Sequence, residues 1–197
     1  MATAPVTDGR SARSQRTRSA VVDALLELNR SGNLRPTARE IAAGAGVSLR
    51  SVYVHFDDLE DLFLAAAKRH AELVSGMLVE VPASGPLRSR AETLMRMRSR
   101  IYEEVGNVRR AAELQAPFSP KLEHWLAAGR AAGRRDLERV FARELDRLPR
   151  DVRKRRLATV VALTSSQTWD QLRHPLDVPA ARKATVDAMI CVLEREE

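Results

Sequence analysis

Between Thr37 and Phe56 the chain reads TAREIAAGAGVSLRSVYVHF, which holds two helix-start signals on either side of a glycine-bearing turn. Thr37 followed by Glu40 is a capping-box pattern, and Ile41, Ala42 and Ala45 then supply a short helix that stops at Gly46. Ser48 caps the next one. Glycine suits the stop because the turn demands a left-handed backbone, and Ala45 is small enough for the two helices to approach closely. Two short helices joined this way form a helix-turn-helix. At 100° per residue, Val52 and Phe56 share one face of the second helix with Ser48 close by, and that face packs against Ile41 and a preceding helix. Arg50 and Val54 point almost oppositely, flanked by Ser51 and Tyr53. The outer face therefore offers a guanidinium, hydroxyls and, at its edge, the His55 imidazole. A guanidinium can hold a guanine edge at two atoms, and hydroxyls suit phosphates. A plain helical hairpin with a solvated face is the alternative use of the same pattern.

The rest of the chain is helical by the same criteria. Val21, Val22, Leu25, Leu26 and Leu28 recur at helical spacing from about Ser14 until Gly32. Asp58 opens a longer helix through Leu62, Phe63, Ala66, Leu73 and Met77, ending before Pro82. Four longer amphipathic segments follow at 87–105, 120–148, 150–173 and 179–195, with a short piece near 108–115. Ser119 and Pro120, Pro149, and the stretch RHPLDVP punctuate them. No alternating strand pattern occurs. The expectation is an all-α protein of about nine helices: a flexible basic tail over 1–13, a three-helix helix-turn-helix domain over 14–57, a connector helix over 58–80 and a C-terminal bundle over 81–197.

Charge narrows the partners. The net charge is +7, and Arg10, Arg13, Arg16 and Arg18 stand together with no acid among them. Such a cluster fits a polyanion, although a solvated basic tail would look the same. The single cysteine, Cys191, leaves no internal disulfide framework and suits a reducing cytoplasm. The sequence shows no secretory core and no membrane span. His55, His70, His124 and His174 lack metal-ligand spacing, and no phosphate-cradling glycine loop or nucleophile motif occurs, so no cofactor, metal or enzymatic chemistry is expected.

The pattern T-x-x-x-I-A-x-x-A-G-V-S-x-x-x-V-Y-x-H-F, Thr37 through Phe56, resembles the DNA-binding domain of the TetR family of transcriptional regulators. TWDQLR, Thr168 to Arg173, followed by a last apolar helix, is similar to the final helices of that family. The resemblance implies a cytoplasmic homodimer that binds a palindromic double-stranded DNA operator and releases it when a small-molecule effector occupies the C-terminal domain. A repressor is the expectation, with an activator or a protein-interaction module free of small-molecule control as the alternative. It further implies that Thr37 binds a phosphate and that Ser48, Ser51, Tyr53 and His55 meet phosphates or bases. Two departures stand out: Arg50 occupies a position where many members carry Gly, and Leu59 one where many carry Lys. Arg50 must then reach a base or phosphate of its own, with Arg13 and Arg16 among the arginines that replace the lost contact.

For the dimer, the helices at 157–172 and 180–193 are apolar on more than one face, so burial by a partner copy is expected at Leu157, Val161, Thr168, Leu172, Ala184, Ala188 and Val192. Cys191 belongs to this apolar set. For the effector, Arg98 interrupts the apolar stripe Leu87, Ala91, Leu94, Ile101, Val105, beside Met95 and Tyr102. A charge there needs a partner. The partner is either an anionic or polar ligand or an acid such as Glu113, unless the arginine snorkels outward. Phe118, Trp125, Phe141 and Trp169 complete the candidate pocket.

Overall fold

The computed structural model describes residues 9–195, and every regular element among them is helical: α1 (Gly9–Arg30), α2 (Ala38–Gly44), α3 (Leu49–His55), α4 (Leu59–Ser75), α5 (Leu87–Gln115), a 3-10 turn (Ala116–Phe118), α6 (Pro120–Val140), α7 (Ala142–Leu145), α8 (Arg150–Leu163), α9 (Ser166–Arg173) and α10 (Val178–Glu194). They form two compact units. The first takes residues up to Ser75 together with Val105–Leu126, and the second takes Gly76–Glu104 and Ala127–Glu197.

In the first unit Val21, Val22, Leu25 and Leu26 of α1 meet Ile41 and Ala42 of α2, Val52 and Phe56 of the α3 end, and Leu62 and Ala66 of α4. Val52 and Leu62 are fully buried, each a side chain whose removal from water stabilises by about 1.5–3 kcal/mol. Val108 of α5 joins this cluster, which is why a stretch assigned by sequence to the C-terminal bundle packs with the N-terminal helices. The turn between α2 and α3 has the expected left-handed glycine, Gly46 at φ 65°, and Gly32 ends α1 at φ 98°.

Five boundaries differ from the sequence expectation, the first being the connector helix expected over 58–80, which is the shorter α4 and stops at Ser75. Residues 9–13 are the first turns of α1 and not a flexible tail, while residues 1–8 lie outside the described residues. The segments 87–105 and 108–115 are one helix, α5. Gly106 stays helical, and the Arg110 guanidinium lies over the space its missing side chain leaves, with Nη1 3.6 Å from where a Cβ would stand. A glycine inside a helix costs about 1 kcal/mol, and burial of Val105, Val108 and Ala111 offsets it. The segment 120–148 breaks at Phe141. There the buried Arg90 guanidinium takes the Val140 carbonyl, lies 5.6 Å from the Phe141 ring centre and pairs with Glu144. The segment 150–173 splits into α8 and α9, because Ser165 caps α9 by accepting from the Thr168 N–H at 3.2 Å.

The second unit's core gathers Val81, Ala91, Leu94, Met95, Leu137, Val140, Phe141, Leu145, Leu157, Val160, Trp169, Ala181, Val186, Met189 and Leu193. Two further arginines, the buried Arg156 and the half-buried Arg98, close helix ends here. Arg156 donates to the Leu193 and Arg195 carbonyls at the end of α10, satisfying oxygens that no intrahelical partner reaches. Arg98 does the same for α8, as described below.

Candidate nucleic-acid interface

The helix-turn-helix is held by local hydrogen bonds that its sequence dictates. Thr37 Oγ1 accepts from the Glu40 N–H at 3.3 Å, and Glu40 Oε2 accepts in return from the Thr37 N–H at 2.7 Å. The Thr37 hydroxyl also donates to Glu40, and the Asn33 amide donates to the other carboxylate oxygen. The hydrogen bonds from Thr37 lead in holding the Glu40 carboxyl below its ordinary value, against a small opposing effect of desolvation. Thr37 is exposed, so a phosphate can reach it. Its hydroxyl proton must first turn away from Glu40, since a carboxylate and a phosphate compete for one donor.

On α3, Ser48 Oγ accepts from the Ser51 N–H at 3.1 Å and donates to Ser51 Oγ at 3.2 Å. That leaves the Ser51 hydroxyl proton for an outside acceptor. Arg50 is exposed, and no hydrogen bond or ion pair engages it among the described residues. Tyr53 is 51% exposed and Val54 69%, so the outer face of α3 is open along its length.

His55 is half-buried. Its Nδ1 lies 3.5 Å from Ser14 Oγ of α1, and its carbonyl accepts from Arg18. Arg18 also lies over the Phe56 ring at 4.1 Å. This is the main correction to the basic arm. Arg13 and Arg16 stand exposed on the first turns of α1, as an electrostatic contact requires, whereas Arg18 is turned inward and ties α1 to the end of α3. Sequence reasoning missed this tie because its two ends are 37 residues apart and neither carries a local motif. Arg18, His55, Phe56, Asp57, Asp61, Leu64, Ala65 and Lys68 line a cleft of about 340 Å³ in the same unit.

Leu59 leaves the start of α4 without a cation at that position, and the acids that follow are engaged elsewhere. Glu60 accepts from Ser119 Oγ and the Lys121 N–H, each at 2.9 Å, and Asp61 pairs with Lys121 at 2.7 Å. The Asp61 hydrogen bond is the leading cause that raises Lys121 above its ordinary value.

The residues expected to form an effector pocket are not brought together as one set. Phe118 and Trp125 belong to the first unit. Phe118 is 74% exposed with Arg35 6.0 Å from its ring centre, so it is a surface residue and not a pocket wall. Met95, Phe141 and Trp169 are buried in the second unit's core. Arg98 and Tyr102 converge on one atom: the Thr164 carbonyl accepts from Arg98 Nη1 at 3.1 Å and from the Tyr102 hydroxyl at 2.8 Å. Arg98 also donates to Thr164 Oγ1 at 2.8 Å and to the Gly133 carbonyl at 3.3 Å. Its partner is thus the C-terminal end of α8 and not Glu113, which is paired with Arg109 in the first unit. Trp169 donates to Glu103 at 2.8 Å, and Arg173 donates to the same carboxylate at 2.9 Å. Desolvation pulls Glu103 upward, but these bonds outweigh it and hold the carboxyl below its ordinary value.

Of the residues expected at a dimer interface, Leu157 is buried in its own unit's core and is out of a partner's reach. Ala184 is exposed, and Val161, Thr168, Leu172, Ala188 and Val192 are half-buried. Cys191 and Ala162 are exposed on the same helices.

Residues 22–66 match the model of bacterial regulatory proteins, tetR family. No curated protein matches the sequence. Among solved structures, a transcriptional regulator from Rhodococcus sp. Rha1 is similar at 22% identity and TM-score 0.63, covering 90% of this chain and 95% of that one. A protein assigned to the TetR-family transcriptional regulators, from Rhodococcus sp., is similar at 21% identity and TM-score 0.65, covering 90% and 99%. The multidrug binding protein EbrR, solved with imidazole, is similar at 20% identity and TM-score 0.62, covering 91% and 90%. At such identities the structures speak for the fold, and the matched segment speaks for the family. Residues 22–66 thus carry the N-terminal segment of the tetR family of bacterial regulatory proteins, within a chain whose fold is similar to that of solved transcriptional regulators.

Proposed function

We propose that the protein is a repressor that binds a palindromic operator as a homodimer and leaves it when a small molecule binds among its C-terminal helices. One observation carries the DNA part: Arg50, exposed and unengaged, stands on the open face of a helix whose opposite face is locked into the first unit's core. A guanidinium so placed suits the O6 and N7 acceptors of guanine. Ser51, Tyr53 and His55 lie on the same helix, Ser48 caps it, Thr37 caps α2, and Arg13 and Arg16 lie on α1; these are the groups proposed to meet the duplex.

The homodimer is supported by the half-buried and exposed apolar atoms of α8, α9 and α10 at Val161, Leu172, Ala184, Ala188 and Val192. A second copy would cover them with twofold symmetry. Effector control is supported by the likeness to EbrR, a multidrug binding protein, and by Arg98 and Tyr102 holding the end of α8 through one carbonyl. A polar ligand that competes for those donors would release it, and its effect would equal its differential affinity for the two states.

The test is a binding series on duplexes that the protein selects from a random pool. Affinity should fall steeply with salt while one palindromic site stays preferred. Arg50→Ala should relax preference at one position per half-site by about 1–3 kcal/mol. Equal binding to all sequences would remove the operator reading. A uniform loss in Arg50→Ala would make that arginine a phosphate contact.

A further inference from the structure

Val54 is the most exposed apolar side chain of α3, at 69%, and the fold makes no use of it. It lies outside the hydrophobic cluster that Val52 and Phe56 enter. A β-branched residue on an exposed helix face is mildly unfavourable to the helix, so its presence brings nothing to the free protein. What it does bring is a pair of methyl groups held in one dominant rotamer. Arg50 stands one turn earlier, about 40° round the helix and about 6 Å along it. With seven residues, α3 is about 10 Å long, and a major groove about 12 Å wide takes the whole of it. Whatever base edge Arg50 reaches, Val54 is presented to the groove within about two base steps of it.

Resting on the DNA-reading role argued above, we propose that Val54 is a specificity-determining residue that reads the 5-methyl group of a thymine next to the Arg50 contact. The charge around it favours this occupant over a protein partner. Arg50 shares its face, and Arg13 and Arg16 stand exposed in the same unit, so a polyanion is the complementary surface. Within a polyanionic duplex the thymine methyl is the apolar group that the major groove displays. Tyr53, at 51% exposure, carries a hydroxyl and suits a phosphate better.

The experiment takes the full chain and the duplex it selects, and replaces each thymine in turn by deoxyuridine, which removes the methyl and nothing else. One thymine per half-site, within about two base pairs of the guanine identified by Arg50→Ala, should then bind about fourfold more weakly, the worth of one buried methyl. Val54→Ala should bind the thymine and uracil duplexes alike. Val54→Thr, which keeps the shape, should retain part of the discrimination. Both substitutions are at an exposed site, so folding is not at stake. A selected site indifferent to every uracil replacement overturns the proposal alone, as does a Val54→Ala protein that still discriminates fourfold. A chain that selects no sequence overturns the DNA reading and this proposal with it.

Discussion

Replacing Arg18 by methionine separates a structural arginine from a DNA-contacting one. Methionine keeps the stem over Phe56 and removes only the guanidinium, whose donor bond to the His55 carbonyl and position 4.1 Å over the Phe56 ring tie α1 to the end of α3. The residue is half-buried, so the charge-assisted bond counts at the low end of its range, about 1.5 kcal/mol, and the ring contact adds about 0.5 kcal/mol. The carbonyl set free can turn to water, and no desolvation penalty is added. The expected loss is about 2 kcal/mol, which is about thirtyfold in an opening equilibrium. Peptide-resolved amide hydrogen exchange reads this at residues 49–56 without assuming that the two units unfold together. Binding to a duplex of unrelated sequence across a salt series supplies the second readout. Arg18→Met should keep the wild-type slope, and Arg16→Met should lower it by about 1. Exchange faster by less than about threefold, with a salt slope lowered by about 1, would show that Arg18 spends its charge on phosphate and refute the tie.

Gly46→Ala should destabilise by about 1–2 kcal/mol through its left-handed backbone alone, because nothing lies within 4 Å of the added methyl; a shift in denaturant midpoint at unchanged slope would show it, and Gly46→Asn should lose less. Both ring nitrogens of His70 are buried without a hydrogen-bond partner among the described residues, and burial, followed by the nearby Arg30 charge, holds its pKa below the ordinary value. The folded state therefore binds the proton less readily than the unfolded chain. The stability His70 contributes is fully present above about pH 6.5 and is lost as pH falls through its folded value. The melting temperature should fall more steeply from pH 7.5 to 5.5 in the wild type than in His70→Phe, and parallel pH profiles would refute it. Arg90→Met should cost about 3 kcal/mol by leaving Glu144 and the Val140 carbonyl unpaired, and adding Glu144→Leu should recover part of that, as a double-mutant cycle on thermal stability would reveal.

What could be read from sequence follows the range of the forces involved. The caps at Thr37, Ser48 and Asp58 act over three residues, so their letters alone place α2, α3 and α4. The Ser165 cap was equally local, but the apolar periodicity that runs across it masked the break between α8 and α9. Arg18 and Arg98 find their partners 35 or more residues away, as Arg90 finds its acid, Glu144, and no local pattern tells an inward arginine from an outward one. The aromatic set failed for a related reason. Helical spacing reports that Phe118 and Trp169 are large and apolar, while only tertiary packing decides that one is exposed and the other is core.

The order in which the chain supplies its two units bears on how freely the reading head could be moved between proteins. Residues 105–126 lie far along the sequence yet belong with the first helices, where Val108 enters their core and Ser119 and Lys121 hold Glu60. A transplant cut after the helix-turn-helix, at residue 57 or 75, would leave this portion behind in the donor. Grafts that carry 105–126, or that rebuild its contacts with Glu60 and Asp61 in the host, should be the ones that keep their grip on DNA, so this reading head is no cassette that travels as one contiguous stretch.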